Sequence, residues 1–303
     1  MNKMNNSTTM NDTITMFPFS EANIPLVILW ILIVIVGGVG NSLTVHIIRR
    51  LKVKSATIIY ILSLAVADLA FLTTVVPFVF SQRMTNVLVL LEDTGLLFLA
   101  FFQFITVYVT CWTLVAMTID RYLAIVYPVK SLRWRTTKTS IKVSIGVWIV
   151  SALLSMPTAF PYTHDSDFLD AVAVNIFLTS FGIPLLIIII CYVKIISVIY
   201  KRNKEMLQKT GGTNTLKKTR RVVKMVAVLI LLFAFSWGPM QVLAMLWNLN
   251  PNFTYSLQLH KFRIYASTLS YANSCINPFV YAFMNKKIRK ALATKLKRKH
   301  GRV

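Results

Sequence analysis

The sequence contains only three cysteines, Cys111, Cys191 and Cys275, and each lies within a long apolar run. The segments between these runs contain no cysteine, so the loops have no pair of thiols that could form a disulfide. We therefore predict no disulfide and expect the three thiols to be packing residues. A small secreted fold held together by disulfide bridges is excluded.

Charged residues are also scarce. They make up 14% of the chain, against about 25% in ordinary soluble proteins, and 56% of the residues are hydrophobic. Six runs contain no Asp, Glu, Lys or Arg, and a seventh, 55–82, contains Asp68 alone. The charge-free runs are 22–48, 94–119, 143–164, 171–193, 225–259 and 264–285. A helix that crosses a bilayer needs about 20 mostly apolar residues, and a soluble chain of this length could not bury seven such helices.

The runs predict an all-α membrane protein, a bundle of seven transmembrane helices. The predicted spans are 25–48, 56–81, 95–126, 142–160, 171–200, 219–248 and 262–284. The chain then divides into an extracellular N-terminal segment (1–24), the bundle (25–284), and a short amphipathic eighth helix with a basic cytoplasmic tail (285–303). The Gly-, Thr- and Lys-rich stretch 201–218 is predicted to be a cytoplasmic linker.

Acidic residues are few, 10 against 33 Lys and Arg, and the basic residues are unevenly distributed. Of the 33, 29 fall on one side of the predicted membrane and 4 on the other. Because basic residues concentrate on the cytoplasmic side, we predict a multi-pass plasma-membrane protein with an extracellular N-terminus and a cytoplasmic C-terminus. This topology accounts for the net charge of +23 without a nucleic-acid partner.

The two ends of the chain carry further indications. The first 20 residues are polar and lack the pattern of a cleavable signal peptide, so the first span is expected to act as the signal anchor. Asn5, Asn6 and Asn11 begin sequons and are predicted glycosylation sites on the extracellular side. Near the other end, NKKIRKALATKLKRK predicts an eighth helix lying on anionic membrane lipid, with a disordered basic tail as the alternative.

Several polar residues lie at mid-membrane positions, where an ionisable group usually marks a functional site. Asp68 is near the middle of the second span, and Asn273 and Asn277 are four residues apart on one face of the seventh. Gln103, Thr110 and Arg121 are separated by 7 and 11 residues, spacings that return to one face of the third helix. A polar stripe of this kind suits signal transmission or permeation. The alternative is a polar network that only packs helices together.

Each of the seven predicted helices carries, or is followed by, a short motif. These motifs are GN at 40–41, LAVAD at 64–68, TIDRYLAIVYP after the third span, Trp148, Pro184 with Tyr192, SWGP in the sixth span and SYANSCINPFVY in the seventh. At these spacings the pattern resembles the rhodopsin-like (class A) G-protein-coupled receptors over about 25–298. Such receptors are not enzymes, and they activate a heterotrimeric G protein.

The resemblance implies roles for individual residues. Asp68 takes the position that binds a sodium ion in the inactive state, and the positions around it are Thr110, Trp237, Asn273 and Asn277. An allosteric Na⁺ (or a proton) is the only cofactor expected. Arg121 is expected to pair with Asp120 at rest and to be released on activation, when the sixth helix bends outward at Pro239. The remaining positions of the implied activation switch are Tyr122, Tyr192, Phe233, Asn277, Pro278 and Tyr281.

The ligand is expected to be an extracellular neuropeptide. QFITVYVTCWTLVAMTIDRY looks like kisspeptin and galanin receptors, and RYLAIVYPVKSLRWRT looks like somatostatin and melanin-concentrating-hormone receptors. The positions expected to face the pocket are Gln103, Trp237, Gln241 and Tyr271. Two departures from the family pattern, Leu96 where a cysteine is usual and the short cysteine-free loop PYTHDSDFLDA, keep a lipid or small-molecule ligand, or constitutive activity, as the alternative. A transporter or channel is a remote alternative, because the chain shows no internal repeat.

Overall fold

The structure is a computed structural model that describes residues 24–51, 55–77, 79, 93–159, 166–207, 213–249 and 256–300. Asn5, Asn6 and Asn11 lie outside these residues, so their glycosylation stays a prediction. The described part is helical and contains no strand. Its main helices are α1 Ile24–Arg50, α2 Ala56–Ala70, α3 Asp93–Val126, α4 Thr137–Ser155, α5 (Ser166–Phe177 and Ile183–Leu207), α6 Thr213–Leu249, α7 Leu257–Met284 and α8 Lys286–His300.

Two π-helical turns interrupt the regular helices. Phe71–Val75 continues α2, and Leu178–Gly182 joins the two segments of α5. Short 3₁₀ turns follow α3, at Lys130–Arg133, and α4, at Met156–Ala159. π-helical turns often occur at functional sites.

Six helices, α1 to α6, are long and apolar enough to cross a membrane. The predicted all-α membrane bundle is therefore confirmed. The seventh helix, α7, is 28 residues long but does not reach the same apolarity. Its inward residues are mostly polar, and those that are buried include Ser267, Ser270, Asn273, Ser274 and Asn277. Its crossing of the membrane stays a prediction.

Helices continue beyond the apolar runs on the basic side of the bundle. α5 extends to Leu207 and α6 begins at Thr213, so most of the stretch 201–218 is helical. The expectation of a linker over that whole stretch was wrong. Lys, Arg, Glu and Leu are good helix formers, and a helix that leaves a membrane continues through them without any break in its hydrogen bonds.

The third helix lies at the centre of the bundle. It packs against α2, α4, α5 and α6, and residues such as Tyr108, Met117 and Ile125 on it are almost fully buried. The bundle's outer surface is also apolar, with Ile35 on α1 and Ile149 on α4 more than half exposed. Large apolar side chains on the outside are the arrangement that lipid surroundings favour.

The α8 helix begins immediately after α7. Asn285 caps it, since its side-chain oxygen accepts hydrogen bonds from the backbone N–H groups of Lys287 at 3.0 Å and Ile288 at 3.3 Å. The Ile288 side chain is buried in the main core, and α8 packs against α1 and α7. Contact of its basic face with anionic lipid stays a prediction.

Gly37 allows α1 to approach α2 and α7 closely. A Cβ atom at this position would lie 2.6 Å from Leu72 Cδ1 and 3.2 Å from the backbone Cα of Cys275. The next residue, Gly38, has no neighbouring atom within 4 Å of the equivalent position. Adjacent glycines thus differ sharply in the space available to a methyl group.

We expect Gly37→Ala to destabilise the bundle by about 1–3 kcal/mol, because Leu72 and the α7 backbone must both move. The measurement is the Tm of the purified protein in detergent. Gly38→Ala is the matched control and should leave the Tm unchanged or slightly raised, since Ala favours helix over Gly. Equal changes in the Tm for the two substitutions would contradict the close approach of α1 to α2 and α7.

Candidate functional site

Asp68 is buried on α2, with 1% of its surface exposed. Its Oδ2 accepts a hydrogen bond from Asn277 Nδ2 on α7 at 2.9 Å. The hydroxyl of Ser274 also approaches the carboxyl group, yet Oδ1 has no hydrogen bond of normal geometry within the described structure. A buried carboxylate with one oxygen unsatisfied is costly, so this pair is a place where a further ligand would be stabilising.

A small cavity with room for about one water molecule lies beside this pair. The predicted sodium-site residues Thr110, Trp237 and Asn273 line it, whereas Asp68 and Asn277 do not. The other lining residues are Phe71, Thr106, Val107 and Ser274. The structure thus places the five predicted residues in two adjoining groups, a hydrogen-bonded pair and a cavity wall.

The donor set suits a cation. Among the described residues, the buried side-chain atoms without a hydrogen-bond partner include two oxygen acceptors of the predicted site, Asp68 Oδ1 and Asn273 Oδ1. Hard cations bind to carboxylate, amide and hydroxyl oxygens, and Thr110 and Ser274 supply hydroxyl groups to the cavity wall. The residues present therefore fit a sodium ion, and its binding stays a prediction.

Trp237 belongs to a chain of aromatic rings that links five helices. It contacts Phe71 with ring centroids 5.9 Å apart and Phe233 at 6.4 Å. The chain continues from Phe71 to Tyr271 to Trp30 and, in the other direction, from Phe233 to Phe181 to Phe177. Rotation of Trp237 would therefore displace rings on α2 and on the rest of α6, which makes it a suitable relay between a ligand and the cavity.

The four residues predicted to face the ligand differ in accessibility. Gln103 on α3 is half-buried, whereas Trp237, Gln241 and Tyr271 are each more than nine-tenths buried. Gln241 Nε2 donates to Ser180 Oγ at 3.0 Å, and Tyr271 packs between Trp30 and Phe71. The rings of Phe71 and its neighbours connect Trp237 to Tyr271.

The π-helical turn of α5 contributes two residues that the sequence did not indicate, Thr179 and Ser180. The Thr179 hydroxyl donates to the Asn175 carbonyl at 2.6 Å, so Tyr108 on α3 must be the donor in its 2.9 Å hydrogen bond with that hydroxyl. Trp112 Nε1 donates to the Thr179 carbonyl at 3.1 Å. This turn therefore fixes α5 to α3 and, through Ser180 and Gln241, to α6.

At the other end of the bundle Asp120 and Arg121 form an ion pair, as the family pattern implies. Arg121 Nη2 also donates to Thr57 Oγ1 on α2 at 2.5 Å. A second arginine, Arg135, places its Nε 3.1 Å from the other oxygen of Asp120. Sequence reasoning missed both Thr57 and Arg135.

Three of the remaining switch residues are tyrosines. Tyr122 packs its ring against Tyr127 at 5.9 Å, and the Tyr192 hydroxyl donates to the Val223 carbonyl on α6 at 3.1 Å. Tyr281 is fully buried, and its hydroxyl has no hydrogen-bond partner among the described atoms.

Two prolines of the predicted switch lie inside helices. Pro239 is within α6 and Pro278 within α7, where a Cβ at Gly40 would lie 3.0 Å from the Pro278 ring. Each proline removes one backbone hydrogen bond and leaves its helix easier to bend. The roles of these residues in activation stay predictions.

The membrane bundle thus combines a buried carboxylate–amide pair, a chain of aromatic rings and a charge pair at its basic end. Residues 40–281 match the model of the 7 transmembrane receptor (rhodopsin family), and the chain belongs to this family. It is 34% identical over 297 residues to "G-protein coupled receptor 54" of Oreochromis niloticus, covering 86% of this chain and 75% of that one. It is 31% identical over 288 residues to the KiSS-1 receptor of Rattus norvegicus (86% and 71% covered) and 30% over 302 residues to galanin receptor type 1 of Homo sapiens (91% and 82%).

Membership of this family establishes the general class of the protein. It is a multi-pass membrane receptor that takes a ligand and a G protein as partners, and it is not an enzyme. The transporter, channel and soluble alternatives are set aside, because the family match covers most of the chain.

We expect Asn277→Ala to destabilise the protein by about 1–3 kcal/mol, because it removes the hydrogen bond that the buried Asp68 carboxylate accepts from Asn277. In an Asp68→Asn background the same substitution should reduce the stability of the protein by less. A buried neutral amide is less costly to leave unpaired than a buried carboxylate. The measurement is the Tm of the four proteins of this double-mutant cycle in detergent. The same loss of Tm in both backgrounds would show that the two side chains do not interact.

Proposed function

We propose that the chain is a receptor for an extracellular neuropeptide, with its N-terminus outside the cell and its basic side facing a cytoplasmic heterotrimeric G protein. The observation that carries this proposal is that relatives named for KiSS-1, galanin and somatostatin match nearly the whole chain. The uneven distribution of basic residues supports the orientation.

The buried polar groups support a two-state mechanism. A peptide that reaches Gln103 and Gln241 would act on the Ser180 hydrogen bond and on the aromatic chain through Trp237. Displacement of Trp237 would change the cavity that it lines beside Asp68. At the basic end, activation would release Arg121 from Asp120 and open the bundle between α3 and α6. The ligand shifts the equilibrium toward the open state because it binds that state more tightly than the closed one.

A sodium ion fits the resting state of this mechanism. Asp68 and Asn273 would hold it, with Thr110 and Ser274 alongside. A bound cation supplies a positive charge that stabilises the buried carboxylate, and a collapse of the cavity on activation would expel it.

A lipid or small-molecule ligand is the second candidate. The absence of cysteines from the outer loops favours it, as does the depth of three of the four predicted pocket residues. A compact apolar ligand reaches buried aromatic residues such as Trp237 and Tyr271 more easily than a peptide does.

We expect Arg121→Ala to abolish G-protein signalling while the protein remains at the cell surface. The measurement is cAMP and calcium output in cells challenged with a neuropeptide library, with wild type and variant matched for surface level. A peptide response lost in the variant supports the proposal. Silence to every peptide, together with basal signalling that Arg121→Ala abolishes, would replace the peptide with the lipid or constitutive alternative. Normal ligand-dependent signalling by the variant would contradict the mechanism.

We expect NaCl, compared with choline chloride at equal ionic strength, to raise the Tm of the wild-type protein in detergent. Asp68→Asn should remove this difference, because the amide carries no charge to attract the ion. Asp170→Asn is the control, since Asp170 is a half-buried carboxylate on α5 outside the site, and it should retain the wild-type response. A sodium effect that persists in Asp68→Asn would place the ion elsewhere.

A further inference from the structure

The loop after α3 folds back onto that helix. Ser131, in the 3₁₀ turn Lys130–Arg133, is buried, and its hydroxyl donates to the Leu123 carbonyl at 3.0 Å. The backbone N–H groups of Trp134 and Arg135 then donate to the Ser131 carbonyl, at 3.1 and 3.0 Å. These hydrogen bonds give the loop an ordered conformation that brings Arg135 beside the last turns of α3.

Asp120 consequently holds two guanidinium groups, one on each carboxylate oxygen. Arg121 bonds to Oδ2, and Arg135 Nε lies 3.1 Å from Oδ1. The Asp120 side chain is 7% exposed and that of Arg135 is 21% exposed, so solvent screens this pair less than a surface ion pair. Removal of one guanidinium would leave the carboxylate with the other.

On the predicted cytoplasmic side, few other carboxylates could pair with these two arginines. The predicted cytoplasmic side carries 29 Lys and Arg, but the sequence places only Asp120 and Glu205 there as acidic residues. Conversely, when Arg121 leaves, Asp120 needs a cation close by. A buried charge that loses its partner is destabilising, and this would oppose activation.

We infer that Arg135 is a positioning residue of the switch, the partner that stays on Asp120 when Arg121 is released. By keeping the carboxylate paired, Arg135 lowers the free energy needed to free Arg121, and repulsion between the two guanidinium groups acts in the same direction. Arg135 also keeps the loop with Val129 and Leu132, both exposed, in one place during the transition. The inference rests on the proposed function, which supplies the release of Arg121.

The first test measures binding of apyrase-treated, nucleotide-free G-protein heterotrimers to the purified receptor in nanodiscs, because such heterotrimers select the activated state. Arg135→Gln should weaken binding by at least about fivefold, the lower end of typical coupling between sites. Arg135→Lys should restore most of the loss. Arg133→Gln, which removes the same charge from an exposed position two residues away, should bind like wild type.

The Asp120→Asn background distinguishes a positioning role of Arg135 from a direct contact between Arg135 and the G protein. Without a carboxylate there is no charge to keep paired, so Arg135→Gln should have no effect on binding in that background. A fivefold loss that persists there would overturn the inference, as would an equal loss in Arg133→Gln.

A second test does not depend on any G protein. Hydrogen exchange of the segment 127–136 reports the loop hydrogen bonds directly. Arg135→Gln should speed its exchange, whereas Arg121→Ala should not, because Arg135 still holds Asp120. Equal exchange in the two variants would overturn the inference even if no heterotrimer bound. Failure of wild type to bind any heterotrimer, with the predicted exchange pattern intact, would contradict the proposed function alone.

Discussion

Two carboxylates buried among apolar helices impose the main constraint on this structure. Asp68 and Asp120 are both more than nine-tenths buried, and each must find donors or cations within the bundle because lipid offers none. Asp68 takes an amide from α7, and Asp120 takes two guanidinium groups, one from its own helix and one from the following loop. Asn277 thereby ties α7 to α2, and Arg135 ties the loop after α3 to that helix. In the proposed mechanism these pairings are what activation changes.

The aromatic chain connects the cavity wall to Tyr271, which with Trp237 is one of the predicted ligand residues. Phe71 and Trp237 belong both to the chain and to the wall of the cavity beside Asp68. The π-helical turn of α5 adds Ser180, which holds Gln241 on α6 one turn from Trp237. In the proposed mechanism, a ligand at α5 and α6 would act on Asp68 through these packed rings, and the Asp120 end would respond through movement of whole helices.

The helices could be predicted well from the sequence, because the charge-free runs and the thickness of a membrane restrict where each span can begin and end. The spacing of Asn273 and Asn277 likewise placed both on the face of α7 that meets the interior. Helix ends beyond the membrane were missed, as at Leu207, because hydropathy does not distinguish a charged helix from a linker. Arg135 could not be predicted, since its approach to Asp120 depends on the buried Ser131 turn. The burial of Gln241 could not be predicted either, because only the π-helical turn brings its hydrogen-bond partner, Ser180, near.

The central claim is that the paired Asp120 carboxylate holds the resting bundle closed. It is tested most directly by the distance between spin labels at Lys138 on α4 and Arg220 on α6, two exposed positions, in a background with Cys191 and Cys275 replaced. Wild type without ligand should give a single short distance. Asp120→Asn should shift the distribution to longer distances, because Arg121 is no longer held by Asp120 and its release is the step that opens the bundle between α3 and α6 in the proposed mechanism. An unchanged distribution in Asp120→Asn would contradict the account.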